Sequence, residues 1–261
     1  MSFIRTLGNT GLAVSALGLG TVKFGRNEQV KYPTAFTLPD DDAVRALLTQ
    51  ARELGINLLD TAPAYGTSEE RLGQLLPDRK DWIIVTKTGE EFRNGASHCD
   101  FGAAHTRRSI ERSLRRLNTD YLDIVLIHSD GNDEAILDDG ACIATLQELK
   151  RAGLVRAIGM STKTLAGGLR AVRELDVAML TFNLQQRDDL PAIRLANELG
   201  KGVLVKKGLM SGHLHADQGD PLRASMELVL GEKGVHSLIA GTINPAHLAT
   251  NAAMAKQVSG D

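Results

Sequence analysis

The chain has 261 residues, 43% of them hydrophobic and 24% charged, with a formal net charge of −2. That balance describes a soluble globular chain with a large core, close to the roughly 250 residues of a minimal (β/α)8 barrel. The near-neutral charge gives no electrostatic reason to expect nucleic acid or an anionic membrane as partner, and no apolar run approaches a bilayer span.

In chain order, Phe3 to Val14 with the turn residues Gly8-Asn9-Thr10-Gly11 predicts a hairpin. Eight short aliphatic or β-branched runs then read as strands: VSALGLG (14–20), INLLD (56–60), WIIVTK (82–87), LDIVLIH (122–128), VRAIGMS (155–161), VAMLTF (177–182), VLVKK (203–207) and HSLIAG (236–241). Between them, apolar residues recur at helical spacing over Asp42 to Leu54, Ser68 to Leu76, Thr106 to Leu117, Ala141 to Ala152, Leu165 to Leu175, Leu190 to Leu199, Leu222 to Leu230 and Pro245 to Ala255. The punctuation agrees. Asp40 to Asp42 caps the first helix, Gly55, Gly153 and Gly200 stand where C-terminal glycines belong, and Asn244-Pro245 supplies a cap and a first-turn proline.

Strict alternation of eight strands and eight helices predicts a parallel sheet, and closure into a (β/α)8 TIM barrel with an N-terminal β-hairpin is the economical solution. No linker or composition shift divides residues 1–261, so a single domain is expected. Cys99 and Cys142 lack zinc-site spacing and read as reduced thiols, with no metal expected. The opening residues lack the basic-then-apolar layout of a signal peptide, so the expectation is a cytoplasmic protein. Three connections are longer than the fold needs, Thr88 to Ala104, Ser129 to Gly140 and Gly208 to Pro221, and all follow strands, on the face where barrel active sites are built.

Three successive strands end in Asp60, Lys87 and His128, and Tyr65 follows in the loop DTAPAYG. Taken singly, each has a structural explanation: a helix cap, a snorkelling amine, a hydrogen-bonded histidine, loop packing. Together they suit carbonyl reduction, which needs an acid for the developing alkoxide. A tyrosine made more acidic by a nearby ammonium is such an acid, with Asp60 orienting Lys87 and His128 donating to the substrate oxygen.

At these residues the sequence resembles the aldo-keto reductases, over nearly the whole chain. The resemblance rests on RTLGNTGLAVSALGLGTVKFG, GINLLDTAPAYGTSEERLGQLL, IIVTKTG, SIERSLRRLNTDYLDIVLIHSD, LKRAGLVRAIGMST and IAGTINPAHLATN in that order. It implies a catalytic tetrad of Asp60, Tyr65, Lys87 and His128. It also implies a nicotinamide cofactor lying extended across the barrel mouth, which agrees with the absence of a GxGxxG fingerprint. Thr21, Val22 and Lys23 would lie near the nicotinamide ribose and pyrophosphate, Ser161 at the carboxamide, Lys207 and Ser211 at and after the seventh strand, and Gly241, Thr242, Ile243 and Asn244 at the adenosine phosphate. There the helix opened by Asn244-Pro245 would offer backbone N–H groups to an anion.

Several cofactor positions depart from the family's habit. Thr162 replaces an asparagine, Met179 replaces a glutamine, and Lys206 replaces the aromatic residue that stacks on the nicotinamide. At the 2′-phosphate position His247 is the one candidate cation beside Gly241 and Ile243, while Asn251 keeps the adenine contact. The expected function is reduction of aldehydes or ketones with NADP(H), with NAD(H) as the alternative cofactor. A cofactor-binding regulatory or sensor module with little turnover is the competing reading. The partner is a small-molecule carbonyl compound, and the oligomeric state stays open. Phe24, Phe92, Phe101 and Met210 are candidates for apolar pocket lining, and Trp82 reads as packing.

Overall fold

The computed structural model describes residues 2–30, 32, 34–212 and 220–260. In the N-terminal hairpin, β1 (Ile4–Thr6) pairs antiparallel with β2 (Ala13–Ser15). The first predicted strand therefore divides: Val14 and Ser15 belong to the hairpin, and after Ala16 the chain turns into β3 (Leu17–Gly20), the first barrel strand. A four-residue helix, α1 (Val22–Gly25), follows, and then α2 (Asp41–Glu53).

The remaining elements alternate: β4 (Leu58–Asp60), α3 (Ser68–Leu75), β5 (Ile83–Thr88), a hairpin of β6 (Glu90–Arg93) and β7 (Ala96–Cys99), α4 (Ala103–Arg116), β8 (Leu122–His128), α5 (Asp133–Asp139), α6 (Ala141–Arg151) and β9 (Val155–Ser161). The chain continues through α7 (Leu165–Glu174), β10 (Val177–Thr181), α8 (Leu190–Leu199), β11 (Gly202–Lys206), α9 (Pro221–Gly231), β12 (Ser237–Gly241) and α10 (Pro245–Ser259). Strands β3, β4, β5, β8, β9, β10, β11 and β12 pair in parallel and close into a barrel, as the alternation predicts.

Helix α2 shows why these segments fold as they do. Its buried residues Val44, Leu47, Leu48 and Ala51 recur at helical spacing, and the Asp40 carboxylate accepts from Ala43 N–H at 2.8 Å. Along each barrel strand the side chains alternate between two cores. Leu59, Ile84, Val125, Ile158, Leu180, Val205 and Leu238 face the helices. Leu58, Val85, Ile124, Leu126, Ala157, Met179 and Leu204 fill the barrel interior, where hairpin residues Leu7, Leu12 and Val14 join them. Burying each such side chain stabilises the fold by roughly 1.5–3 kcal/mol.

That alternation also decides what stands at the mouth. Asp60 shares parity with Leu58, Lys87 with Val85, His128 with Leu126 and Lys206 with Leu204, so the interior of the last layer turns polar. Two of the three long connections hold structure of their own: Thr88 to Ala104 contains the β6–β7 hairpin, and Ser129 to Gly140 contains α5. The third, Gly208 to Pro221, begins with a single 3-10 turn at Met210–Gly212, and its residues 213–219 lie outside the described ones. No helix among the described residues is long and apolar enough to cross a membrane.

Candidate active site

The mouth of the barrel holds a cavity of about 950 Å³, at the upper end of the roughly 300–1,000 Å³ of ligand pockets. At one end stand Asp60, Tyr65, Lys87 and His128, brought together from three strand ends and one loop. Lys87 is 1% exposed, and its Nζ donates to Asp60 Oδ1 at 2.6 Å and to the Thr61 carbonyl at 2.8 Å. The same ammonium lies 4.7 Å from the centre of the Tyr65 ring, and the Tyr65 and His128 rings meet edge to face at 6.2 Å.

The loop carrying Tyr65 is held from below. Ser68 Oγ donates to the Thr21 carbonyl at 3.0 Å and accepts from Thr61 Oγ1 at 3.0 Å, while Thr21 Oγ1 donates to the Asp60 carbonyl at 2.9 Å. Beside it the chain comes into backbone contact with α1: Gly66 has φ +61°, and a Cβ there would stand 2.0 Å from the Gly25 carbonyl oxygen. Thr21 is thus fully buried beneath the loop and is not part of the cavity lining. Val22 and Lys23, one and two residues on, do line it.

The electrostatics differ from the expected acidified phenol. Burial first, then the negative charges of Asp60 and Glu90, push the Tyr65 phenol well above its ordinary value. Lys87 does not reverse this because its charge is committed to Asp60 at 2.6 Å. Burial pulls His128 below its ordinary value, against the opposing pull of Glu90. Glu90, on β6, brings Oε2 to 2.9 Å from His128 Nδ1, a charge contact rather than an aligned hydrogen bond. Burial raises the Glu90 carboxyl, but His128, Ser97 and Arg26 outweigh it and hold the group at about 2.

Glu90 is the site residue that sequence reasoning missed. Its signal was the dipeptide Asn94-Gly95 inside the first long connection, Thr88 to Ala104, both at positive φ, which marks a hairpin directly after the lysine strand.

Along the cavity wall, Ser161, Thr162, Met179, Lys206, Lys207 and Ser211 all take part in the lining. Lys206 Nζ donates to Ser161 Oγ at 2.8 Å and to the Thr162 carbonyl at 2.5 Å, and burial pulls its amine down to about 7. Next to Asp60 the lining includes its register partner Gly20, and it continues through Gly241 and Thr242 to His247 and Asn251. A Cβ on Gly241 would meet Tyr32 Oη at 2.8 Å, so a larger residue here would push that side chain aside.

Ile243 and Asn244 fall outside the lining. The Asn244 side chain accepts from Ala246 N–H at 2.9 Å and His247 N–H at 3.4 Å, so the cap already uses the backbone donors expected to receive a phosphate. The apolar lining also differs from expectation. Phe24 is a core residue, as is Trp82 in keeping with its reading as packing; Phe92 stacks under Arg26, and the cavity is faced instead by Tyr32, Leu165, Leu209, Leu222 and Ile239. No group of histidine, cysteine and carboxylate side chains able to hold a metal occurs among the described residues.

A closed parallel barrel with ionisable side chains converging at the C-terminal ends of its strands defines an α/β-barrel enzyme architecture. The aldo/keto reductase family profile matches residues 16–229, and the chain belongs to that family. A solved protein assigned to the aldo-keto reductases of Pseudomonas aeruginosa is 57% identical, with a TM-score of 0.89 over 98% of this chain and 94% of that one. L-galactose dehydrogenase of Arabidopsis thaliana is 42% identical over 166 residues, 60% of this chain. That alignment spans 48% of the dehydrogenase, about half its length. Pyridoxine 4-dehydrogenase of Escherichia coli is 29% identical over 94% of this chain and 90% of its own. The chain is therefore an oxidoreductase of the aldo-keto reductase family.

Proposed function

We propose that this chain reduces the carbonyl group of small aldehydes or ketones to alcohols, with NADPH as the donor and Tyr65 as the acid. The observation that carries the proposal is the convergence of Tyr65, His128 and the Asp60–Lys87 pair in a cavity of about 950 Å³ whose lining continues to His247 and Asn251. The walls fit such a cofactor. One cavity is lined by Tyr65, Ser161, His247 and Asn251, and the glycines Gly20 and Gly241 on adjacent strands keep its wall beside Asp60 low. NADPH is favoured by family habit, and Lys23, Thr242, His247 and Thr250 are the donors available along its phosphate-bearing end.

When bound, the cofactor supplies the hydride. Tyr65 supplies the proton: burial keeps its phenol protonated, and an alkoxide is a strong enough base to take that proton as it forms. Lys87, fixed by Asp60 and the Thr61 carbonyl, lies against the ring that is left as phenolate. His128 stabilises charge on the substrate oxygen. Glu90 faces Nδ1 and draws a proton to that nitrogen, so donation from the other ring nitrogen as well calls for the imidazolium, which Glu90 favours and burial, outweighing it, disfavours.

The competing reading is a cofactor-binding module with little turnover. It is favoured by Thr162, Met179 and Lys206 where the resemblance expects other residues. Titrating the protein with NADPH and then adding a reactive aldehyde separates the two. Oxidation of the bound cofactor is expected, and binding without oxidation would select the module.

A further inference from the structure

Lys206 is placed to act on the cofactor's charge. It ends β11, yet its ammonium is bound to Ser161 Oγ and the Thr162 carbonyl at the end of β9. The side chain therefore crosses β10, the strand between them, above Met179. The register sets Ser161 opposite both Met179 and His128, so the ammonium lies in the polar layer one strand from His128. Two of its three N–H donors are used in this anchorage, and it lines the cavity.

A hydride-donating ring must lie against a carbonyl held by Tyr65 and His128, and the neighbouring floor of the cavity is Ser161, Met179 and Lys206. An oxidised nicotinamide ring carries a positive charge and a reduced one does not. We propose that Lys206 makes this site hold the reduced nicotinamide cofactor more tightly than the oxidised one, by fixing an ammonium beside the ring. This rests on the carbonyl-reductase reading above. It gives the replacement of a flat aromatic by a lysine a consequence: product cofactor is expelled and the reducing direction is favoured.

The groups around Lys206 do not cancel its charge. Asp189, at the N-terminus of α8, and Asp133, in α5, support the ammonium, while Lys207 on the same segment and Lys87 on β5 oppose it, and His128 on β8 senses it. Burial outweighs the carboxylates and brings the amine to about 7, so its charge is full in mild acid and lost in mild base.

The test is calorimetric titration of NADP+ and NADPH into the wild type, Lys206→Met and Lys206→Arg, at about pH 6 and about pH 8.5, on either side of the lysine's titration. In the wild type the ratio of the oxidised to the reduced dissociation constant should be about tenfold or more at the lower pH, the order expected for two unit charges in a protein site. It should shrink at the higher pH. Lys206→Met should lose most of the ratio by tightening NADP+ and should show little pH dependence, whereas Lys206→Arg should keep the ratio at both pH values. Reduced-cofactor binding reports that each variant is folded, and the wild-type pH dependence needs no variant. Equal ratios in wild type and Lys206→Met, or a wild-type ratio that does not fall with pH, would overturn the inference alone. Failure of the wild type to bind either form would overturn the cofactor reading as well.

Discussion

Removing the Asp60 carboxylate should expose how much of this site is held by one ion pair. Lys87 is 1% exposed and donates to Asp60 Oδ1 at 2.6 Å, with the Thr61 carbonyl as its other partner. Asp60→Ala leaves that ammonium in a nearly dry pocket with a single neutral acceptor. Breaking a buried pair in this way costs about 3–5 kcal/mol. For a chain of this size that corresponds to a fall in Tm of roughly 6–20 °C. Lys87→Met leaves the complementary fault, an Asp60 carboxylate with no cation, and should cost a similar amount. The double variant strands no charge and should cost less than either single change, giving a coupling of about 3 kcal/mol or more. Urea unfolding measures all four proteins. Trp82 is the single tryptophan and is 1% exposed, so its fluorescence reports loss of the core, and circular dichroism gives an independent transition. Additive costs, or an Asp60→Ala penalty below about 1 kcal/mol, would refute the claim that the pair is a coupled buried unit.

Other consequences concern pH and backbone. Burial lowers His236 to about 4 from 6.5, and a group depressed in the folded state adds stability above its unfolded pKa that is lost as pH falls. Unfolding stability should drop by about 3 kcal/mol as pH falls from the mid-6 range to about 4, and His236→Gln should remove that part of the slope. Because Glu90 opposes the burial of His128, Glu90→Gln should move the alkaline decline of kcat/KM for carbonyl reduction to lower pH; an unmoved profile would contradict the assigned role. Gly66→Ala puts a Cβ 2.0 Å from the Gly25 carbonyl at φ +61° and should displace Tyr65, sharply reducing turnover. Gly153→Ala, at φ +80° with open space around it, should cost only about 1 kcal/mol and leave turnover intact.

Much of this was readable in the chain because one regularity carries it. Period-two alternation in buried parallel strands puts Asp60, Lys87 and His128 inside the barrel at its last layer, and strand ends are visible in sequence as the end of an apolar run. What was not readable lacks periodicity. Helix α1 has four residues, too few to repeat an apolar position, so the burial of Thr21 and Phe24 beneath the Tyr65 loop could not be anticipated. Glu90 meets His128 because β5, which it follows, pairs with β8 in the closed barrel, a contact between segments distant in sequence. The raised Tyr65 phenol follows from burial and nearby carboxylates, whereas the sequence showed only that a lysine was at hand. Likewise Lys206 looked like a missing aromatic, and its crossing from β11 to β9 is visible only with the barrel closed.

The most direct test of the account is Tyr65→Phe, which removes one hydroxyl from the proposed acid and keeps the ring that lies against Lys87 and His128. NADPH binding and the rate of NADPH oxidation by a reactive aldehyde are measured on the same preparation, beside the wild type. Unimpaired binding with turnover reduced by about 10²–10⁴-fold, the range of a general acid, is the predicted result. Undiminished reduction of the aldehyde by Tyr65→Phe would contradict the proposal that this tyrosine delivers the proton.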